Sequence, residues 1–101
     1  MIRQMTIADL AEAVDEGRLI VDVRNPEEYA NGHVPGAVNI PLDAVAQRCT
    51  ELDPEQPVYL VCGGGSRSME AAGALDQGGY DARPIDGGTR GWIAEGRTVE
   101  T

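Results

Sequence analysis

No lysine occurs in this sequence: its eight cationic side chains are all arginine, set against seventeen carboxylates, for a formal charge of −9. A chain this acidic has no net positive face to offer nucleic acid or an anionic membrane, so any binding of anions has to be a local feature. Cysteine is scarce as well. Cys49 and Cys62 cannot make a disulfide framework, and with the single histidine, His33, they fall short of a four-ligand zinc site, so no metal is expected. One reactive thiol in a reduced, cytoplasmic setting remains open. Long apolar runs are also missing. Leu19-Ile20-Val21 and Val58-Tyr59-Leu60-Val61 are far too short to cross a bilayer, and no basic segment followed by an apolar stretch opens the chain. With 101 residues and 42% hydrophobic content, one soluble domain spanning residues 1–101 is expected.

The local pattern alternates helix and strand. Thr6-Ile7-Ala8-Asp9 has the form of a helix cap with a carboxylate three residues on, and Ile7, Leu10, Ala11 and Val14 then recur at helical spacing, predicting a helix over 7–16. Leu19 to Val23 reads as a short buried strand. Asn25-Pro26-Glu27-Glu28 starts a second helix with proline at its first position. Val38-Asn39-Ile40 is a brief strand, residues 43–51 a helix, Val58 to Val61 the central strand, Ser66 to Gln77 a helix stopped by Gly78-Gly79, and Ala82 to Ile85 a last strand. Such alternation predicts an α/β domain with a mostly parallel sheet, whose site lies at the carboxyl ends of the strands.

The segment that carries chemistry runs from Val58 through Cys62-Gly63-Gly64-Gly65-Ser66-Arg67-Ser68: a buried strand ends in a thiol, and a glycine loop leads into a helix. Loop glycines let successive N–H groups turn inward as an anion nest, the helix start adds partial positive charge, and Arg67 a full one. All three favour the thiolate, the nucleophilic form of cysteine. The same cradle suits the outer sulfur of a persulfide. An inert buried cysteine would give no reason for three consecutive glycines, each costing backbone entropy on folding.

Cys62 to Arg67, in the order Cys-x-x-Gly-x-Arg, resembles the active-site loop of the rhodanese homology family. Asp22-Val23-Arg24 with Glu27-Glu28-Tyr29, then Gly32-His33-Val34-Pro35-Gly36-Ala37 and Asn39-Ile40-Pro41, is similar to that family's first signature; Asp86-Gly87-Gly88 with Gly91-Trp92 resembles its C-terminal one. The similarity runs from about Thr6 to Val99. It implies a rhodanese-like α/β fold, a five-stranded mostly parallel sheet flanked by helices on both faces. It also implies a thiosulfate sulfurtransferase working in two steps, with Cys62 as the catalytic nucleophile. Cys62 takes the terminal sulfur of a small sulfur-containing anion, and the persulfide then passes it to cyanide or a thiol. Gly63, Gly64, Gly65, Ser66 and Arg67 bind the substrate, no cofactor is called for, and a protein could serve as donor or acceptor.

Around this loop Asp22 is expected to anchor Arg67 or Ser68, and Arg24 to pair with Glu28, both as supporting residues whose simplest role is structural. Ser66 and Ser68 are expected to cap the helix, with the Ser66 N–H also in the cradle. His33 is expected to hold its turn, Trp92 to pack, and Cys49 to be a bystander. Family members that favour thiosulfate often carry Arg or Lys where this chain has Gly63, which leaves the donor open, mercaptopyruvate included. Two alternatives stand beside the transferase: a rhodanese-fold phosphatase or arsenate reductase, whose loop is one residue longer than the one here, and a non-catalytic sulfur-relay or docking module.

Overall fold

The computed structural model describes residues 2–101. Four parallel strands, β1 (Leu19–Asp22), β2 (Val38–Asn39), β3 (Val58–Val61) and β4 (Ala82–Pro84), form one sheet in the order β2-β1-β3-β4. The expected fifth strand is reduced to a single parallel bridge between Met5 and Ile85, at the β4 edge. Only two hydrogen bonds, Met5 N–H to the Pro84 carbonyl and Asp86 N–H to the Met5 carbonyl, hold that segment before the helix cap at Thr6 turns the chain away.

Each strand's pleat sends alternate side chains to opposite faces. Val21, Val58 and Leu60 pack on one face with Ala71, Ala72 and Leu75 of α4 (Ser66–Gln77) and Val45 of α3 (Leu42–Arg48). Ile20, Tyr59 and Val61 pack on the other with Ile7, Leu10 and Ala13 of α1 (Ile7–Asp15) and Trp92 of α5 (Gly88–Ala94). Helices therefore cover both faces, and the all-apolar β3, buried along its whole length, is the central strand. Burying each of its larger side chains contributes roughly 1.5–3 kcal/mol.

Element ends follow their caps. α1 carries the full capping box, Thr6 Oγ1 accepting from Asp9 N–H while the Asp9 carboxylate accepts from Thr6 N–H, and it ends at Asp15 with Glu16 as C-cap. α2 (Pro26–Ala30) has the equivalent box from Asn25 and Glu28. The helix expected over 43–51 is α-helical only for Leu42–Arg48, then tightens to a 3₁₀ turn at Cys49–Glu51. The strands expected to reach Val23, Ile40 and Ile85 stop a residue earlier. α5 is an addition that the pattern did not mark.

Candidate active site

Cys62 stands at the carboxyl end of β3, 1% exposed, and its Sγ accepts a hydrogen bond of 2.9 Å from Gly65 N–H. That bond requires the chain to reverse within three residues. Gly65 does so at φ +129°, a backbone conformation closed to side-chain-bearing residues, and it is itself the N-cap of α4. The amides of Gly63, Gly64 and Ser66 have no acceptor among the described residues. Free donors at the start of a twelve-residue helix, around a buried sulfur, are the ingredients of an anion cradle.

The other two glycines are not required by a left-handed backbone. Neither has positive φ; a Cβ on Gly63 would lie 3.1 Å from Arg67 Nη2, and one on Gly64 would overlap Arg90 Nη2. Two guanidinium groups thus lie against the backbone of the loop. Arg67, reaching from α4, spends its charge on α2: Nη1 donates to Glu28 Oε1 at 2.6 Å and Nη2 to Oε2 at 3.1 Å. This bidentate pair ties two helices 39 residues apart in sequence, with both side chains 37% exposed.

The expected partnerships are thus exchanged. Asp22 anchors neither Arg67 nor Ser68, and Arg24 does not pair with Glu28. Instead Asp22 and Arg24 form a buried ion pair, Nε to Oδ1 at 3.0 Å and Nη2 to Oδ2 at 2.7 Å, and Arg24 Nη2 also donates to the Gly32 carbonyl. Two residues apart on an extended segment, they face the same way, so the pair closes locally. The capping expectation is corrected as well. Ser66 is the first helical residue, and no side chain caps α4; the Ser68 hydroxyl donates to the Gly65 carbonyl at 2.9 Å, bracing the loop from inside.

α5 closes the site from the side. Thr89 N–H donates to the Cys62 carbonyl (2.8 Å) and Arg90 N–H to the Gly63 carbonyl (3.1 Å), so the first turn of α5 holds the base of the loop. Thr89 and Arg90 were not anticipated; the signal for them was their place just beyond β4, at the same end of the sheet as Cys62. Arg24, Glu28, Gly63, Arg67, Thr89 and Arg90 border a cavity of about 280 Å³, and a second of about 360 Å³ lies beyond Arg67 against Pro41 and Leu42.

His33, Trp92 and Cys49 lie outside the loop. His33 stacks on Tyr29 with ring centres 3.7 Å apart, and its Nδ1 donates to the Tyr29 carbonyl. Trp92 is buried and donates to the Thr98 carbonyl, and Cys49 is a half-buried free thiol on the edge of α3.

The Glu28–Arg67 pair carries a pH dependence. The Arg67 hydrogen bonds hold the Glu28 carboxyl down at about 2, against some opposing desolvation and with help from the Asn25 cap. A depressed folded-state value means stability present above the ordinary Glu range and lost as pH falls toward 2. Because both groups are over a third exposed, the contribution is discounted to roughly 0.5–1 kcal/mol. Glu28→Gln is expected to melt roughly 2–8 °C below wild type at pH 6, the gap closing by pH 2. A gap unchanged across that range would show that the ion pair contributes nothing.

Fold and loop together define an α/β domain that presents a cysteine, in a glycine turn, at the carboxyl end of its central parallel strand. Residues 6–95 match the family model for the rhodanese-like domain, and the chain belongs to that family. It is 35% identical over 94 residues to the thiosulfate sulfurtransferase GlpE of Pseudoalteromonas translucida, covering 91% of this chain and 90% of that protein. With YtwF of Bacillus subtilis it shares 33% over 96 residues, 93% of each chain. Other relatives are longer, and the chain aligns with 36% of one of them. The crystal structure of a rhodanese-related protein from Thermoplasma volcanium superposes with a TM-score of 0.90 at 31% identity over 97% of both chains. Among the described residues no helix is long and apolar enough to cross a membrane.

Proposed function

We propose that this domain is a sulfurtransferase that moves sulfane sulfur from an anionic donor such as thiosulfate to a thiophilic acceptor, cyanide or a thiol, through a persulfide on Cys62. The observation that supports it most is the loop itself: a thiol at the strand end that accepts one loop amide, in a loop whose other amides have no protein acceptor among the described residues. In the first step the Cys62 thiolate attacks the outer sulfur of thiosulfate. A new S–S bond forms, the bond to the sulfonate sulfur breaks, and its electron pair leaves with sulfite. In the second step the acceptor attacks the outer persulfide sulfur; cyanide leaves as thiocyanate, and the Cys62 thiolate is regenerated. Amide donors that hold the anionic outer sulfur stabilise the intermediate and cost no reorganisation when charge arrives. The near-complete burial of Cys62 favours a donor that presents a single sulfur end-on. Four residues between Cys62 and Arg67 make a smaller ring than the phosphatase-type loop, which argues for sulfur over phosphate. A nucleophilic thiol that has to stay reduced favours a reducing compartment such as the cytoplasm.

The test is to incubate the protein with thiosulfate, desalt it and measure its mass. One added sulfur is expected on the peptide carrying Cys62, lost on addition of cyanide with thiocyanate released in equal amount. Absence of that sulfur with any sulfane donor would favour a docking module. Cys62-dependent phosphate release from an aryl phosphate, without sulfur uptake, would favour the phosphatase.

A further inference from the structure

We propose that Arg90 is the donor-recognition residue of this site: its guanidinium, laid across Gly64, binds the oxyanion end of the sulfur donor while Cys62 takes the sulfur. The inference rests on the transferase reading above and names the donor class, a sulfane sulfur attached directly to a sulfonate or similarly charged leaving group.

Three cations border the 280 Å³ cavity beside the loop. Arg24 is neutralised by Asp22 in a buried pair, and Arg67 by Glu28 in a bidentate one. Arg90 has no carboxylate and no side-chain hydrogen bond among the described residues, so it carries the mouth's uncompensated charge. On a chain of charge −9, a dianion is repelled by the surface as a whole, and a local free cation at the mouth offsets that repulsion where it matters.

Placement agrees with charge. Arg90 is pinned by its own N–H to the Gly63 carbonyl, and its Nη2 occupies the space that a side chain on Gly64 would take, directly over the loop that holds Cys62. A guanidinium there offers planar, paired donors to an oxyanion one bond beyond the sulfur under attack. Beside it, Thr89 Oγ1 is the sole buried side-chain polar atom without a partner among the described residues, on a residue 2% exposed that borders the same cavity. A buried hydroxyl left unpaired in the free protein is a second sign that a ligand completes the site. The cavity is at the lower edge of the ~300–1,000 Å³ of small-molecule sites, as suits an inorganic or short organic anion.

The experiment compares two donors, thiosulfate and the uncharged dimethyl trisulfide, with wild type, Arg90→Gln and Arg90→Lys. Loss of a charge-assisted contact predicts that Arg90→Gln lowers kcat/KM for thiosulfate by about ten- to a hundredfold, mostly through KM, with Arg90→Lys recovering part of it. Uptake from the trisulfide should be unchanged. An equal fall with both donors would mean that Arg90 merely supports the loop, and no fall with thiosulfate would remove it from recognition; either overturns the proposal. Calorimetric binding of thiosulfate to Cys62→Ser, with and without Arg90→Gln, separates this inference from the one it rests on. Arg90-dependent binding to Cys62→Ser, combined with a wild type that takes up no sulfur from either donor, would keep the anion site and discard the transferase, whereas binding indifferent to Arg90 would discard the site.

Discussion

Cys62→Ser is expected to reduce sulfur transfer to background, a loss of at least about 10³-fold, while the domain stays folded. A hydroxyl at neutral pH is a poor nucleophile and cannot hold a sulfane sulfur, so both half-reactions stop together. The fold should tolerate the exchange because serine Oγ accepts the Gly65 N–H in place of Sγ, and the burial of a hydroxyl in a 1%-exposed position costs about 1–2 kcal/mol. Cys49→Ser is the matched control. Its thiol sits on the edge of α3, donating to the Ala46 carbonyl at 3.3 Å, outside the loop, and its loss should leave turnover within about twofold. Cyanolysis rates and thermal melts of the two variants check both halves of this expectation. Transfer that survives in Cys62→Ser and fails in Cys49→Ser would move the chemistry to the other sulfur.

What could be read from the sequence divides along a physical line between local and long-range information. β3 and α4 have the expected ends because a four-residue apolar run and a twelve-residue helix bounded by glycine are signals contained in their own residues. The boxes at Thr6 and Asn25 are likewise local, since cap and acceptor lie three residues apart. α5 escaped notice because it opens on Gly87 and Gly88, both at positive φ, where propensity argues against a helix; contact with the Cys62 loop, not intrinsic preference, holds it. The ion pairs show the same division. Asp22 with Arg24 could have been inferred from their two-residue spacing, whereas Glu28 with Arg67 depends on two helices meeting across the loop. The approach of Arg90 to Gly64 was the least accessible: the two lie 26 residues apart and meet only through the fold.

Gly88→Ala is expected to be the most damaging of the small substitutions, with an effect on transfer as well as stability. At φ +55° an alanine is strained by roughly 1–2 kcal/mol wherever it sits. Here its Cβ would also come within 2.5 Å of the Cys62 carbonyl oxygen and 2.8 Å of the Gly63 carbonyl oxygen, both backbone atoms that cannot rotate aside. Either α5 or the start of the Cys62 loop must move, and the hydrogen bonds from Thr89 and Arg90 to those carbonyls stretch or break. Two bonds at about 0.5–1.5 kcal/mol each, added to the strain, place the destabilisation at about 2–5 kcal/mol. Displacing the loop should lower transfer at least about tenfold, since small misplacements of a nucleophile are expensive. Gly79→Ala isolates the backbone contribution: Gly79 has φ +85° but open space around its Cβ, so it should lose roughly 1–2 kcal/mol and no activity. Chemical denaturation and cyanolysis of the pair measure the difference, which reports how firmly α5 clasps Cys62. If Gly88→Ala proved no worse than Gly79→Ala in either readout, α5 would be packed beside the loop without holding it.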